Sequence, residues 1–208
     1  MAVIPGVVLA GGKSSRMGGE DKAFRALGGR SAIRYPLEAL LRQCVAVAVN
    51  ANGAPERYEE FAVPVVADPI PGRPGPLAGI LAAMLWAREN GWARVLTAPC
   101  DAPFLPPDLA FRLAAASGRT GRPAVAAIFG RDGPVPQPAT GLWPTRLAED
   151  LAAALAAGER KVRNWAGRHD LALAVFPESE ATAFANLNTP EDWEVAEARL
   201  RNGEAVGG

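Results

Sequence analysis

Short, nearly unbroken apolar runs alternate along this chain with longer stretches that mix apolar and polar positions. The run VIPGVVLA (3–10) is rich in Val and Ile, shows no polar alternation and ends in Gly-Gly, the pattern of a strand buried on both faces. Further strands are predicted at VAVAVN (45–50), VPVVAD (63–68), ARVLTAPCD (93–101) and PAVAAIFG (123–130). Between them lie helical patterns. One covers 31–43 with Ser31 as cap, where Pro36 must sit near the first turn or kink the helix, and a short polar one covers 55–61. A mostly apolar helix covers 77–90 and stops at Gly91, and another opens on prolines at 106–117.

Beyond residue 130 the regularity loosens. Residues 131–144 carry turn chemistry at Asp132-Gly133 and read as a hairpin or an excursion. A helix is predicted at 144–158, a short one near 160–168 and a strand at 171–176. The last helix has Thr189 as cap, Pro190 at its first position and Asp192 where a capping-box acid belongs. Strands alternating with helices imply right-handed βαβ units. The fold class is therefore α/β, a mostly parallel twisted sheet with helices on both faces.

Composition narrows the class of function. Apolar residues at 49% and charged ones at 21% describe a globular chain. A net charge of zero removes the electrostatic reason to expect nucleic acid or an anionic membrane. No apolar run reaches the roughly 18 residues of a membrane helix. The N-terminus has no basic region or cleavage site and runs directly into the first motif, so a cytoplasmic chain is expected. Cys44 and Cys100 form neither a disulfide framework nor a metal pair and read as small buried hydrophobes.

The chemistry gathers at strand ends, where parallel sheets bind their ligands. LAGGKSSRMGGEDK (9–22) follows the first strand and holds two of the chain's three lysines. It is neither a dinucleotide fingerprint nor a Walker A loop. Bare backbone after a strand lets N–H groups approach phosphate oxygens, and Lys13, Arg16 and Lys22 add the cations a polyphosphate needs. Plain turn chemistry in a solvated basic loop is the competing reading. Asp101 ends the fourth run, where an acid after apolar residues suits Mg²⁺ or, alternatively, a helix cap. Asn50 and Asp68 end the second and third runs, and there too turn formation competes with ligand binding. The sole histidine, His169, lies far from these motifs and reads as a surface residue.

Taken together, the loop resembles the LAGGxSxRMGxxK signature of nucleotidyltransferases related to the molybdenum cofactor guanylyltransferases. VNAN (49–52), VVAD (65–68), GPLAG (75–79), PCDAPFLPPDL (99–109), GERKV (158–162) and NLNTPED (186–192) follow in that family's order. The resemblance covers about 3–193 and implies a single Rossmann-like nucleotidyltransferase domain over 1–208. Its part to about 105 would bind nucleotide, 106–195 would bind the acceptor, and 202–208 would be a tail. The implied reaction is Mg²⁺-dependent transfer of GMP from GTP to the terminal phosphate of molybdopterin.

By resemblance, Leu9, Ala10, Gly11 and Gly12 line the nucleotide pocket, Lys22 and Arg16 contact phosphates, Asn50 and Asp68 contact the nucleoside, and Asp101 holds the metal. Asn186 and Asn188 would stand near the metal and the second substrate, with Arg160 and Lys161 on the molybdopterin side. GTP and molybdopterin are the implied partners, with transient contact to molybdoenzyme maturation proteins, and no nucleic acid or membrane. The chain departs from the family at Gln137-Pro138-Ala139, where relatives often carry a His-Pro-Thr-like segment. Alternatives are a sister enzyme using CTP or another phosphorylated acceptor, and a non-catalytic GTP sensor. Gly11-Gly12 favours the guanylyl branch, since cytidylyl relatives tend to carry Ala before the second Gly. Retention of Asp101 and Lys22 argues against the sensor.

Overall fold

A computed structural model describes residues 3–11, 21–70 and 75–203. Its strands are β1 (Gly6–Leu9), β2 (Ala26–Leu27), β3 (Arg30–Ser31), β4 (Val47–Asn50), β5 (Val65–Val66), β6 (Arg94–Pro99), β7 (Ala124–Gly130), β8 (Gly133–Pro144) and β9 (Ala172–Phe176). Its α-helices are α1 (Arg34–Gln43), α2 (Pro76–Glu89), α3 (Leu109–Ser117), α4 (Ala148–Ala156), α5 (Val162–Ala166) and α6 (Pro190–Arg201). A seven-stranded sheet runs β5-β4-β1-β6-β8-β7-β9, and β2-β3 form a separate small hairpin. In the large sheet β8 alone is antiparallel to its neighbours.

The apolar runs lack alternation because each strand feeds two cores. Val8, Val49 and Leu96 point into one, which is closed by Leu37 and Leu40 of α1 and Leu109 and Leu113 of α3. Val7, Ala48, Val95 and Val125 point into the other, closed by α2, α4 and α5. Both faces are thus covered, which is what continuous Val/Ala/Leu strands require. The chain passes outward from β1 to β4 and β5, then returns through α2 to β6 on the far side of β1. The crevice at the carboxyl ends of these strands is where an open α/β sheet binds ligands.

Several predicted boundaries move. Ser31 does not cap a helix: it lies in β3, and α1 begins three residues later without a side-chain cap. Pro36 falls in the first turn of α1, where its missing N–H costs nothing. Residues 55–61 are 3₁₀ rather than α-helix. Pro106 precedes α3 instead of opening it, and accepts a turn hydrogen bond from Leu109 N–H. Residues 131–144 resolve into the hairpin reading, as β8 folds back along β7. Thr189, Pro190 and Asp192 form the capping box of α6 with both reciprocal hydrogen bonds in place.

A third, smaller cluster matters for the site. Trp193 and Ala196 of α6 pack with Leu27, Ala32, Tyr35 and Leu187. This brings the segment before α6 beside the chain that returns from the Gly-rich loop.

Candidate active site

A cavity of about 240 Å³ opens at the carboxyl ends of the central strands. Leu9, Ala10 and Gly11 enter it from the end of β1, Asn50 from β4, Asp68 from beyond β5, Asp101 from beyond β6, and Lys22 from the segment leading into β2. Ladder bonds fix the strand exits: Ala10 N–H donates to Asn50 O at 2.8 Å and Cys100 N–H to Leu9 O at 3.0 Å. Gly12 and Arg16, together with Lys13, lie outside the described residues.

Lys22 and Asp101 are the charged pair of this cavity. Lys22 Nζ stands 4.0 Å from Asp101 Oδ2 and donates to Asn188 Oδ1 at 2.8 Å. Leu187 N–H donates to Asp101 O at 2.9 Å, so the 187–188 segment holds both partners. Burial raises the Asp101 carboxyl above the ordinary aspartate value, while Lys22 and a backbone N–H partly offset the rise. A desolvated carboxylate beside one cation is short of positive charge. Its hard oxygens suit a divalent cation that takes one protein carboxylate and completes its shell with water and substrate phosphates. Among the described residues no group of three or more His, Cys, Asp or Glu side chains could hold a metal unaided.

The opposite wall is a network of neutral amides around Asp68. Asn50 Nδ2 donates to Asp68 Oδ1 at 2.9 Å and to Val66 O at 3.0 Å. Asn52 Nδ2 donates to Asp68 Oδ2 at 2.7 Å, and Asn52 Oδ1 accepts from Asp68 N–H at 3.0 Å. Both carboxylate oxygens are therefore held by amides, and the group's remaining lone pairs are free for a ligand's N–H or O–H donors. Asn52 was not singled out in the sequence. Its position in VNAN, one residue beyond Ala51 after a strand end, is the signal that could have marked it.

Asp21 also lines the cavity. Its carboxylate accepts from Ala23 N–H at 3.2 Å and from Arg57 Nη1 at 2.9 Å, and the Arg57 guanidinium lies over Phe24 at 4.2 Å. These contacts anchor the backbone on either side of Lys22. Cys100 lines the cavity as well, in addition to its expected packing role. Burial raises its thiol pKa, and it raises that of Cys44 to about 12, so neither is a nucleophile at neutral pH.

Other predicted residues stand apart. Asn188 reaches the site through Lys22, whereas Asn186 is exposed and does not line the cavity. Arg160 and Lys161 do not line it either, and Arg160 Nη1 donates to Leu155 O and Glu159 O. His169 lies away from the cavity, half-buried at the surface rather than fully exposed. Its side chain is 19% exposed, its Nε2 lies 2.7 Å from Asp150 Oδ1, and its ring packs on Trp165 with centroids 5.2 Å apart.

The family profile described as the MobA-like NTP transferase domain matches residues 6–172. The molybdenum cofactor guanylyltransferase of Cereibacter sphaeroides is 48% identical over 196 residues, covering 94% of this chain and 96% of that one. That of Rhodopseudomonas palustris strain BisB5 is 46% identical over 198 residues, covering 93% and 91%. Among solved structures, molybdopterin-guanine dinucleotide biosynthesis protein A from Archaeoglobus fulgidus superposes with a TM-score of 0.74 at 23% identity, covering 96% of this chain and all of that one. The 2-C-methyl-D-erythritol 4-phosphate cytidylyltransferase of Thermus thermophilus superposes at 0.70 with 21% identity, covering 94% and 98%. The two structures share the fold, and a shared fold does not choose between their substrates.

Proposed function

Because the chain belongs to the family of MobA-like NTP transferases, we propose that it transfers GMP from GTP to the terminal phosphate of molybdopterin. The products are molybdopterin guanine dinucleotide and pyrophosphate. The observation that carries this reading is the meeting of Lys22 and Asp101, 4.0 Å apart, in the cavity that also receives the exit of β1.

The cavity floor supports a division of labour along the strand order. Asp68 and Asn50, at the β5 and β4 end, take the nucleoside. Leu9, Ala10 and Gly11 present backbone to the phosphates, and Lys22 binds the triphosphate, with Gly12 and Arg16 as further contacts in the same reading. Asp101 would hold Mg²⁺, which when bound neutralises phosphate charge at the reacting phosphorus. An acceptor phosphate oxygen attacks the α-phosphorus of GTP, the bond from that phosphorus to the bridging oxygen breaks, and pyrophosphate leaves with the electron pair. The nucleophile is already an anion, so no general base is needed, and His169 packs away from the cavity on Trp165. Catalysis then rests on position and preorganised charge. Asn188 orients Lys22, while Asn186, Arg160 and Lys161 belong to the acceptor side in this reading. No helix among the described residues is long and apolar enough to cross a membrane, and we place the enzyme in the cytoplasm with its GTP.

A nucleotide panel with molybdopterin, read by pyrophosphate release, tests the reaction. GTP is expected to support turnover and CTP to fail. Preferential release from CTP would overturn the guanylyl assignment, and GTP binding without transfer would favour a sensor. A second test addresses Asn52. Asn52→Ala removes two of the hydrogen bonds that set Asp68 and is expected to weaken GTP binding about tenfold in calorimetry, since each such bond is worth about 0.5–1.5 kcal/mol.

A further inference from the structure

Strand β8 is irregular where it passes the cavity. Its pairing with β7 runs from Gly130↔Gly133 to Ala126↔Gln137, then resumes at Val125↔Gly141. Pro138, Ala139 and Thr140 are left without a partner on β7. The pairing with β6 reaches only Thr97↔Gly141, so these residues have none there either. Bulges of this kind re-aim a strand locally. Ala139, in the middle of this one, lines the cavity.

Two fully buried side chains hold the bulge in place. Thr97 Oγ1 donates to Ala139 O at 3.0 Å and accepts from Trp143 Nε1 at 2.7 Å. Because the indole can only donate, it fixes which way the threonine proton points. The indole is itself fixed. A Cβ on Gly141 would come within 2.6 Å of Trp143 Cζ2, so the ring fills the space a side chain at 141 would need. The same ring packs against Trp165 with centroids 5.9 Å apart.

The strand order indicates what this wall faces. The cavity floor runs β5, β4, β1, β6, β8. Nucleoside and triphosphate, as assigned above, occupy the floor from Asp68 to Lys22, with Asp101 next. The β8 end is the part left for the acceptor. We propose that Thr97 and Trp143 are positioning residues for the acceptor: their hydrogen-bonded chain sets the Pro138–Thr140 bulge as the wall against which the acceptor phosphate is seated. This assignment rests on the transferase reading.

The test varies GTP and molybdopterin separately in Thr97→Val, Thr97→Ser and Trp143→Phe, with calorimetry of GTP and Mg²⁺ alongside. Thr97→Val is expected to raise KM for molybdopterin about three- to tenfold, the range one neutral hydrogen bond commands, and to leave Kd for GTP unchanged. Thr97→Ser keeps the hydroxyl and is expected to restore the wild-type KM. Trp143→Phe keeps a ring, loses the N–H and is expected to fall between. An unchanged acceptor KM in Thr97→Val, or a parallel rise in Kd for GTP, overturns the assignment. If Thr97→Val does not fold, Trp143→Phe decides by the same comparison. Absence of transfer by the wild-type chain overturns the transferase reading and this assignment with it, whereas the variant outcomes bear on the assignment alone.

Discussion

Asp101→Asn is expected to reduce turnover by about 10²–10³, the cost of removing one preorganised charge contact from a transition state. The asparagine keeps the shape and loses the charge. Lys22 would keep its hydrogen bond to Asn188 and lose the carboxylate 4.0 Å away, so the fold is expected to persist while the metal site fails. Stability should move the other way. Burial raises the Asp101 carboxyl, so the folded chain binds this proton more tightly than the unfolded chain does. Its ionised form therefore costs stability, a cost absent below the unfolded value and present in full above the folded one. At neutral pH and without metal, Asp101→Asn is expected to melt above the wild type, and the gap should close as the pH falls through this window. Pyrophosphate release and thermal melts at two pH values check both halves. Near-normal turnover would remove Asp101 from its role, and a lower Tm would contradict the origin given for its shifted carboxyl.

A structurally costly acid is a pattern sequence can expose, since an acid at the end of an apolar run has few structural uses. Asn50, Asp68 and Asp101 stand out as strand-end residues, Lys22 as a cation of the Gly-rich loop, and Leu9, Ala10 and Gly11 through the family resemblance, and all seven line one cavity. Parallel strands covered on both faces deliver their ends to one side of the sheet, so knowing the strands locates the ends. Contacts between distant segments were less legible. Lys22 and Asn188 are 166 residues apart, and no local pattern marks the amide as the lysine's partner. Asn52 and Asp68 are likewise joined only once β4 and β5 pair.

The expected cap at Ser31 is overridden from outside its own segment. Ser31 reads as a helix cap by local chemistry, yet Gly28 and Gly29, with φ of 56° and 76°, turn the chain into the β2–β3 hairpin. Leu27 of that hairpin is held by the packing of α6, and Tyr35 donates its hydroxyl hydrogen to Leu27 O at 2.8 Å. Tertiary packing overrides the cap. In β8, Pro134, Pro136 and Pro138 argue against a strand inside a sheet. They are tolerated because β6 pairs only with residues 141–144, which leaves that stretch with an open edge.

Gly79→Ala is the second large effect expected, and ordinary helix propensity predicts its stability change with the wrong sign. Alanine for glycine inside a helix contributes about 0.5–1 kcal/mol of stability. Gly79 lies in α2, against the exit of β1, and a Cβ there would collide with Asn50 Oδ1 and come within 3.1 Å of Leu9 Cδ2. Asn50 is 1% exposed, and its amide is held by Val66 O and Asp68 Oδ1, so it yields only by leaving both. Turning it away breaks its hydrogen bonds to Val66 O and Asp68 Oδ1, and overpacking a tight core costs about 1–3 kcal/mol more. The loss exceeds the propensity gain, so Tm should fall. Binding should suffer further, because Asn50, Asp68 and Leu9 all line the cavity. Calorimetry with GTP and Mg²⁺ is expected to show Kd raised about ten- to a hundredfold, as loss of about two hydrogen bonds implies. The double variant with Asn50→Ala separates the two consequences. Removing the struck side chain should recover part of the lost Tm, a non-additivity that neighbours in contact show, while GTP binding stays weak because Asp68 still lacks the Asn50 donor on Oδ1 and keeps only Asn52 on Oδ2. If Gly79→Ala binds GTP like the wild type, the wall built from Asn50 and Asp68 is not the nucleoside site.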